Sequence, residues 1–408
     1  MALTSVAELQ ALIHGKIAQQ YRQPESENAA LANAVGRVLA QDIASPVNIP
    51  PADISAMDGY ALPRPAEAGS VWRIAGESVA GQAFKGEIAE DACIRIMTGA
   101  VVPQGCNTVT VQENVLLEDG RITLQENVKE GANIRFGGEE VAAGNTVLTA
   151  GRILRQADIM LLAALGYAQV PVYRKIKVAI LSSGNELLDP GTPTDRTDRI
   201  YDSNRHMLAS RLNGLPIEVI DFGQVPDDLE KVLQVLNEVI QVADVLITTG
   251  GVSVGDYDFM REAVARIGSI HHYKVALKPG KPFVFGQMLK TWCFGLPGNP
   301  VSCFVGFDIF LKSALWQLCG ASDIPQPLRF TATLAAAVQK NHSRTDIQRG
   351  IIRQGEDGRW LAEPCGKQDS HRILQVSLAN AYIILPAESG SLPAGTEVVV
   401  QPFADAFL

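Results

Sequence analysis

Three loops of this chain combine glycines, hydroxyls and lysines in patterns suited to holding phosphate. TTGGVSVGD (248–256) offers Gly250, Gly251, Ser253 and Gly255. Glycines let backbone N–H groups approach an anion closely, and a serine hydroxyl adds a donor. The same pattern also serves a plain tight turn. LPGNPVS (296–302) supplies Pro297, Gly298, Asn299, Pro300 and Ser302. Pro300 fits the first position of a helix, where its missing N–H costs nothing, with Asn299 as the cap. The free N–H groups of that helix start can hold an anion, or simply begin a helix. LKPGKP (277–282) follows Lys274, so Lys274, Lys278 and Lys281 fall within eight residues. Pro279 and Gly280 turn the chain, and Lys278 and Lys281 can then face one cleft.

Carboxylates accompany these loops. SSGNEL (182–187) carries Glu186, GDYD (255–258) carries Asp256 and Asp258, and Asp227 with Asp228 opens a helix. Such a set can hold a hard cation such as Mg²⁺, although Asp227 and Asp228 also read as helix caps. Phosphate binders beside carboxylates are what phosphoryl or nucleotidyl chemistry with a metal requires. Two further loops, AMDGYAL (56–62) with Asp58 and IMTGAVVP (96–103) with Thr98, stand out, although each taken alone reads as a plain turn before glycine.

The elements that position these loops follow from periodicity. Ser5 and Glu8 make a capping box, and Val6, Leu9, Leu12, Ile13 and Ile17 then share one helix face. A second helical pattern spans about Ser26 to Leu39. From Pro46 to about Gly144, short apolar runs separated by Gly, Pro and Asn predict a small β-domain. The segment 153–173 predicts helix again, ending at Gly166. The β-domain therefore reads as an insertion between two helical segments. From Ile176 to about Gly320, strands alternate with helices, which predicts a parallel, doubly wound sheet. IKVAILSSG has the continuous apolar run of a strand buried on both faces, and Asp202 or Ser203 caps the helix after it. In such sheets ligands bind beyond the carboxyl ends of the strands, where the Gly loops fall. The tail after about Pro325 is β again, a small barrel or sandwich. The fold class is thus multidomain α/β. A helical region occupies 1–45 plus 145–172, the inserted β-domain 46–144, the α/β domain 173–325 and the C-terminal β-barrel 326–408.

Composition narrows the partners. The 408 residues carry 35 Lys and Arg against 44 Asp and Glu, a net charge of −9. A wide nucleic-acid surface is not expected, and an anionic ligand must be met by a local basic cluster. Six scattered cysteines form no CxxC, and six histidines form no HExxH. This reads as reduced thiols in a cytoplasmic chain without structural zinc. No uninterrupted apolar stretch approaches the length of a membrane span.

AMDGYA, RIMTGA, ANIRFGGEE, ALGY, SSGNEL, TTGGVSVGDYDF, ALKPGKPFVFG and LPGNPVS, in this order, resemble the molybdopterin molybdenumtransferase family. That family comprises bacterial MoeA and the E domain of gephyrin and plant cofactor-synthesis proteins. The resemblance covers almost the whole chain. It implies elongated homodimers, with a cleft between the α/β domain of one chain and the β-domain of its partner. It implies the last step of molybdenum cofactor synthesis. Adenylylated molybdopterin binds by its pyrophosphate, molybdate is inserted at the dithiolene sulfurs with Mg²⁺ in support, and AMP leaves. It implies that Gly250, Gly251, Ser253, Gly255, Pro297, Gly298, Asn299 and Pro300 shape the pterin-phosphate site. Lys274, Lys278 and Lys281 would meet phosphate or molybdate charge. Glu186, Asp227, Asp258 and Asp256 would contact metal or position water. Asp58 and Thr98 would complete the cleft from the second subunit, and Arg135, Arg349 and Ser370 would line it. The implied partners are the molybdopterin adenylyltransferase and the recipient molybdoenzymes or their chaperones. Two departures stand out. Asn185 replaces the Asp of relatives that read GDEL, and FGGEE is less basic than relatives with consecutive arginines. A nucleotide-hydrolysing enzyme on the same α/β domain, or a non-catalytic molybdopterin-binding scaffold, are the competing readings.

Overall fold

The computed structural model describes residues 3–251 and 259–404. Strands of four or more residues are numbered here along the chain. The first helix, α1 (Val6–Gln20), is closed by the predicted capping box: Glu8 N–H donates to Ser5 Oγ at 3.2 Å, and Ser5 N–H donates to Glu8 Oε2 at 2.8 Å. Leu9, Ile13 and Ile17 form its buried stripe. The next segment is not helical. Ser26–Ala30 is strand β1, followed by a short 3₁₀ turn over Leu31–Asn33.

One compact unit comprises 41–150 with 160–167. Its sheet contains β2 (Gly59–Leu62), β3 (Val71–Ser78), β4 (Ala92–Ile96), β5 (Thr108–Val111), β6 (Val115–Glu118) and β7 (Arg121–Leu124), in spatial order β5-β2-β4-β3-β7-β6. Alternate strand residues feed two small cores, one around Tyr60, Leu62 and Trp72, the other around Ala61, Ile94 and Val109. Helix α2 (Gln156–Ala164) follows in sequence.

The other unit comprises 1–40, 151–159 and 168–408. Strand β8 (Gln169–Tyr173) pairs antiparallel with β1, with Ala29 opposite Val170. This ladder explains the missing helix at 26–39. Helix preferences differ by only about 0.7 kcal/mol per residue, less than hydrogen bonding a strand to a formed neighbour provides. Gly36, at φ +77°, then breaks any helical continuation.

The α/β layer runs through β9 (Ile176–Ser183), α3 (Ser203–Leu212), β10 (Ile217–Val225), α4 (Leu229–Val242), β11 (Val245–Thr249), α5 (Phe259–Ile267), β12 (Ser269–Tyr273), β13 (Val284–Met288), β14 (Thr291–Leu296) and α6 (Pro300–Leu318). The strand order is β10-β9-β11-β14-β13-β12. The first four strands are parallel; β13 and β12 pair antiparallel at the edge. A two-residue turn joins β13 to β14, with Leu289 at φ +51°, and so short a connection permits only an antiparallel neighbour. Strand β9 is buried on both faces: Val178 and Ile180 enter one core, Ala179 and Leu181 the other. Helix α6 is long and apolar enough to cross a membrane by length and composition, yet 72% of it is buried inside the fold. It is a core helix, packing Val301, Val305, Phe310 and Leu315 into the larger cluster.

The C-terminal strands β15 (Phe330–Leu334), β16 (Thr345–Gln354), β17 (Trp360–Pro364), β18 (Ala381–Leu385) and β19 (Glu397–Pro402) close into a barrel in the order β16-β17-β15-β19-β18, with β18 pairing back onto β16.

Candidate functional site

The register of the parallel strands sets the site. Ser182 lies opposite Thr249, and Thr249 opposite Leu296. The chain therefore leaves β9, β11 and β14 at one level, and Gly184, Gly250 and Pro297 begin their loops side by side. Gly250 sits at φ +83°, and a Cβ there would lie 2.2 Å from the Ser183 carbonyl oxygen. Gly251, at φ +63°, would meet Met260 at 2.9 Å. Only glycine fits either position. Asn204 of α3 ties two loops together: its Nδ2 donates to Thr249 Oγ1 and to the Gly298 carbonyl, each at 2.7 Å.

These loops floor a cavity of about 1010 Å³. Glu186, Asp227, Gly250, Gly251, Pro297, Gly298, Asn299 and Pro300, all expected from the sequence, line it together. Asp227 is held in place: its carboxylate accepts from Ser183 Oγ at 2.9 Å and from the Asn185 N–H at 3.3 Å. Glu186 folds its carboxylate back over Gly184, where a Cβ would meet it at 2.6 Å. Among the described residues no group of three or more His, Cys, Asp or Glu is placed to hold a metal. Ser253, Gly255, Asp256 and Asp258 lie outside the described residues.

A second cavity, of about 910 Å³, shares Pro282, Pro297, Asn299 and His371 with the first. Lys278, Lys281, Ser302 and Ser370 line it, as expected. So do Lys340, Arg344 and Lys367, with Asp369 as the acidic lining residue. Two of these cations are committed to the scaffold. The buried Lys340 ammonium donates to the carbonyls of His342 and Ala387 at 2.9 Å and of Ser389 at 2.5 Å, and Arg344 donates to the Leu277 carbonyl at 3.0 Å. Lys278, Lys281 and Lys367 remain as ammonium groups on the wall. Burial pushes the nearby His342 imidazole below its usual value; Asp346, 3.3 Å away, pulls the other way, and Lys278, Arg344 and Lys340 add to the lowering.

Four expectations need correction. Lys274 lines neither cavity; at φ +79° its backbone turns sharply, and its ammonium sits 5.0 Å from the centre of the Tyr273 ring. Arg349 lines neither cavity. It is only 1% exposed, and its guanidinium donates to the carbonyls of Gln368 (3.2 Å), Lys367 (2.9 Å) and Asp369 (3.2 Å). It holds the loop that carries Ser370 from behind, and burial pushes its pKa down. Asn299 occupies the cap position of α6, with Pro300 first in the helix, but its side chain makes no capping hydrogen bond. The Val301 N–H of that helix start is taken by the Ser370 carbonyl at 3.2 Å, so it is not open to an anion.

In the other unit, Asp58 and Thr98 meet: the Thr98 N–H and hydroxyl both donate to Asp58 Oδ1 at 2.7 Å. These bonds hold the Asp58 carboxyl below its ordinary range. Arg135 is exposed on a two-residue strand paired with Ile54–Ser55. Sequence reasoning missed Asn204, Lys340, Arg344 and Gln368. Asn204 sat in the helix-start motif YDSNRH, where only the cap candidates Asp202 and Ser203 drew notice; Asp202 is the cap, accepting from the Arg205 N–H at 3.1 Å.

Comparison with known proteins places this architecture. Residues 4–166 match the family described as MoeA N-terminal region (domain I and II), 179–317 the probable molybdopterin binding domain, and 331–403 the MoeA C-terminal region (domain IV). A molybdopterin molybdenumtransferase of Haemophilus influenzae is 39% identical over 93% of this chain and 94% of that protein. One from Bacillus subtilis is 33% identical over 93% and 90%. The crystal structure of a molybdopterin biosynthesis moeA protein from Pyrococcus horikoshii superposes with a TM-score of 0.83 at 30% identity, covering 98% of this chain and 100% of that one. Alike in sequence from the first helix to the barrel, and carrying its glycine loops where three parallel strands end, the chain belongs to the molybdopterin molybdenumtransferase family, a family of transferase enzymes.

Proposed function

We propose that this chain inserts molybdate into adenylylated molybdopterin, with Mg²⁺ and with release of AMP. The observation that carries the reading is the pair of adjoining cavities. One has a glycine floor with the carboxylates of Glu186 and Asp227 beside the ion-paired Asp202; the other has three ammonium groups not committed to the scaffold; they share Pro282, Pro297, Asn299 and His371. The glycine-floored cavity suits a pyrophosphate, because close backbone approach replaces side-chain bulk. The lysine-walled cavity suits molybdate, a compact dianion met by point charges in an acidic protein.

The donor set fits magnesium. Mg²⁺ is commonly held by one or two carboxylates together with substrate phosphates, and Glu186 and Asp227 line the phosphate cavity. When bound, the ion would offset negative charge on the phosphoanhydride. Ser183 and the Asn185 N–H keep Asp227 oriented toward that role. Lys278 and Lys281, with Ser302 and Ser370, receive molybdate. Arg349 acts through the loop it fixes. Asp58, Thr98 and Arg135 complete the cleft from a second copy of the chain. The substrate comes from a molybdopterin adenylyltransferase, and the product passes to molybdoenzymes or their chaperones in the cytoplasm.

The test is reconstitution. Purified protein, adenylylated molybdopterin, molybdate and Mg²⁺ are mixed, and AMP and active cofactor are both followed. Coupled appearance of AMP and transferable cofactor is expected. AMP without inserted metal makes the chain a hydrolase, and binding without turnover makes it a scaffold; either result overturns the proposal.

A further inference from the structure

Behind the lysine-walled cavity lies a pair of titratable groups that the proposed reaction does not use. Asp346, near the start of β16, is buried. Its Oδ2 accepts from Gln348 Nε2 at 3.0 Å, and Gln348 lines the cavity. Leu277–Lys278 pairs in parallel with β16, with Lys278 opposite Asp346. His342 follows the lining residue Asn341. Its Nε2 is buried 3.3 Å from Asp346 Oδ2, yet makes no hydrogen bond among the described residues. Its Nδ1 accepts from the Arg344 N–H at 3.3 Å. That bond fixes the neutral tautomer: Nδ1 offers its lone pair and Nε2 carries the hydrogen. The charged groups acting on the ring are Asp346, Lys278, Arg344 and Lys340. Asp346 also acts on the buried Arg349.

Burial and three cations keep this imidazole neutral near pH 7, against the pull of one carboxylate. An anion seated against Lys278 offsets those cations and leaves Asp346 as it was. Anion binding and protonation of His342 must then assist each other equally, because coupling between two binding events is reciprocal.

We propose that His342, paired with Asp346, takes up a proton from solvent when a tetrahedral oxyanion enters the lysine-walled cavity, and so ties the affinity of that cavity to pH. This rests on the proposed function, under which the oxyanion is molybdate. The proton goes to Nδ1. The bond from the Arg344 N–H is given up, and the imidazolium pairs with the Asp346 carboxylate already beside it. As pH falls from about 8 to about 5.5, His342 charges and molybdate binds more tightly. A rise of about one unit in the imidazole pKa on binding corresponds to about a 10-fold gain in affinity.

The test follows dilute molybdate binding to the full chain by calorimetry, in buffers of different ionisation enthalpy, so that protons taken up are counted. An affinity that climbs about 10-fold across this range, with uptake of a fraction of one proton, is expected. His342→Gln should lose the pH slope and the proton uptake together. Asp346→Asn should also lose the uptake, and should bind molybdate more tightly near pH 8, because a negative charge behind the lysines is gone. NMR of the unsubstituted chain gives a check that no variant can spoil: the His342 titration should move upward on saturation with molybdate. An unmoved titration, a pH slope and uptake that survive His342→Gln, or a chain that binds no molybdate overturns the proposal. A His342 titration that responds to molybdate in a chain that inserts no molybdenum would sink the insertase reading and leave the linkage standing.

Discussion

Thr98 gives both of its donors to one oxygen: its N–H and its hydroxyl each lie 2.7 Å from Asp58 Oδ1, across 40 residues of sequence. The antiparallel pairing of β2 with β4, Gly59 opposite Ile96, brings the two loops together at one end of the sheet. The bonds to the charged form hold the Asp58 carboxyl below its usual range. The sign follows from linkage. A depressed carboxyl contributes above its ordinary pKa and loses that contribution as pH falls through the depressed value. Asp58 is therefore an anion throughout the neutral range.

Two substitutions separate charge from geometry. Asp58→Ala is expected to lower molybdenum insertion by about 10²-fold or more, the scale of a lost polar catalytic group. The variant should stay folded, because the carboxylate makes no core contact, with a melting temperature lowered only slightly by loss of the two bonds from Thr98. An unfolded variant, or full activity, would falsify the assignment. Thr98→Val keeps the backbone N–H and removes the hydroxyl. The Asp58 titration followed by NMR should then move upward toward the ordinary carboxyl value; an unmoved titration would mean that the N–H alone sets it.

Lys278→Ala tests the lysine-walled cavity. With Lys340 and Arg344 committed to carbonyls, Lys278 is one of three ammonium groups left for an anion. Half-saturating molybdate should rise about 5- to 10-fold, roughly the value of one partly screened charge contact. The effect should shrink as ionic strength is raised from about 0.01 M to 1 M, where the Debye length falls from about 30 Å to 3 Å. A molybdate dependence identical to that of the unsubstituted chain, at every salt concentration, would remove Lys278 from the site.

Arg349 should behave as a structural cation with a functional consequence. Its guanidinium spans three backbone carbonyls, and Gln368 answers with its own amide: Arg349 N–H donates to Gln368 Oε1 at 2.8 Å, and Gln368 Nε2 donates to the Arg349 carbonyl at 3.0 Å. Arg349→Ala leaves those carbonyls without a donor and should cost about 3 kcal/mol in urea denaturation. Arg349→Lys should recover little, because one compact ammonium cannot reproduce the planar fork. If Arg349→Lys were as stable and active as the parent chain, the loop would not depend on this geometry.

The same residue shows where sequence reading reaches its limit. The doubly wound sheet was legible because Ile176–Ser183 and Leu229–Val242 carry unambiguous periods: one strand buried on both faces and one helix with Val232, Leu236, Val239 and Ile240 inside. The Gly250 and Pro297 loops followed, since strand ends in parallel sheets define where ligands bind. Direction was not legible. Lys274 and Lys278 are four residues apart, yet only Lys278 lines the cavity. Nothing in QRG marks Arg349 as buried behind a loop rather than facing a ligand. Ser26–Ala30 failed for another reason. Its alanines favour helix locally, and its partner β8 lies far along the chain, so the pairing that decided the outcome was not local.

The two glycines that approach each other between the loops after β11 and β14 give opposite expectations for one substitution. Gly250 is at φ +83°, and a Cβ would stand 2.2 Å from a backbone oxygen of Ser183, which cannot move without shifting the end of β9. Gly298 lies outside the left-handed φ range, and a Cβ would lie 3.6 Å from Gly250 Cα, at van der Waals distance. Gly250→Ala should therefore destabilise the chain by about 3 kcal/mol, combining left-handed strain with a main-chain clash. Gly298→Ala should change stability by less than about 1 kcal/mol. Function should divide differently. The Gly298 methyl would project among groups that line the cavity, so this variant should fold normally and bind pyrophosphate several-fold more weakly. Thermal melts and pyrophosphate calorimetry on both variants check the contrast. A stable Gly250→Ala would show that the Ser183 loop can yield, and a Gly298→Ala variant with unaltered pyrophosphate affinity would place the phosphates elsewhere in the cavity.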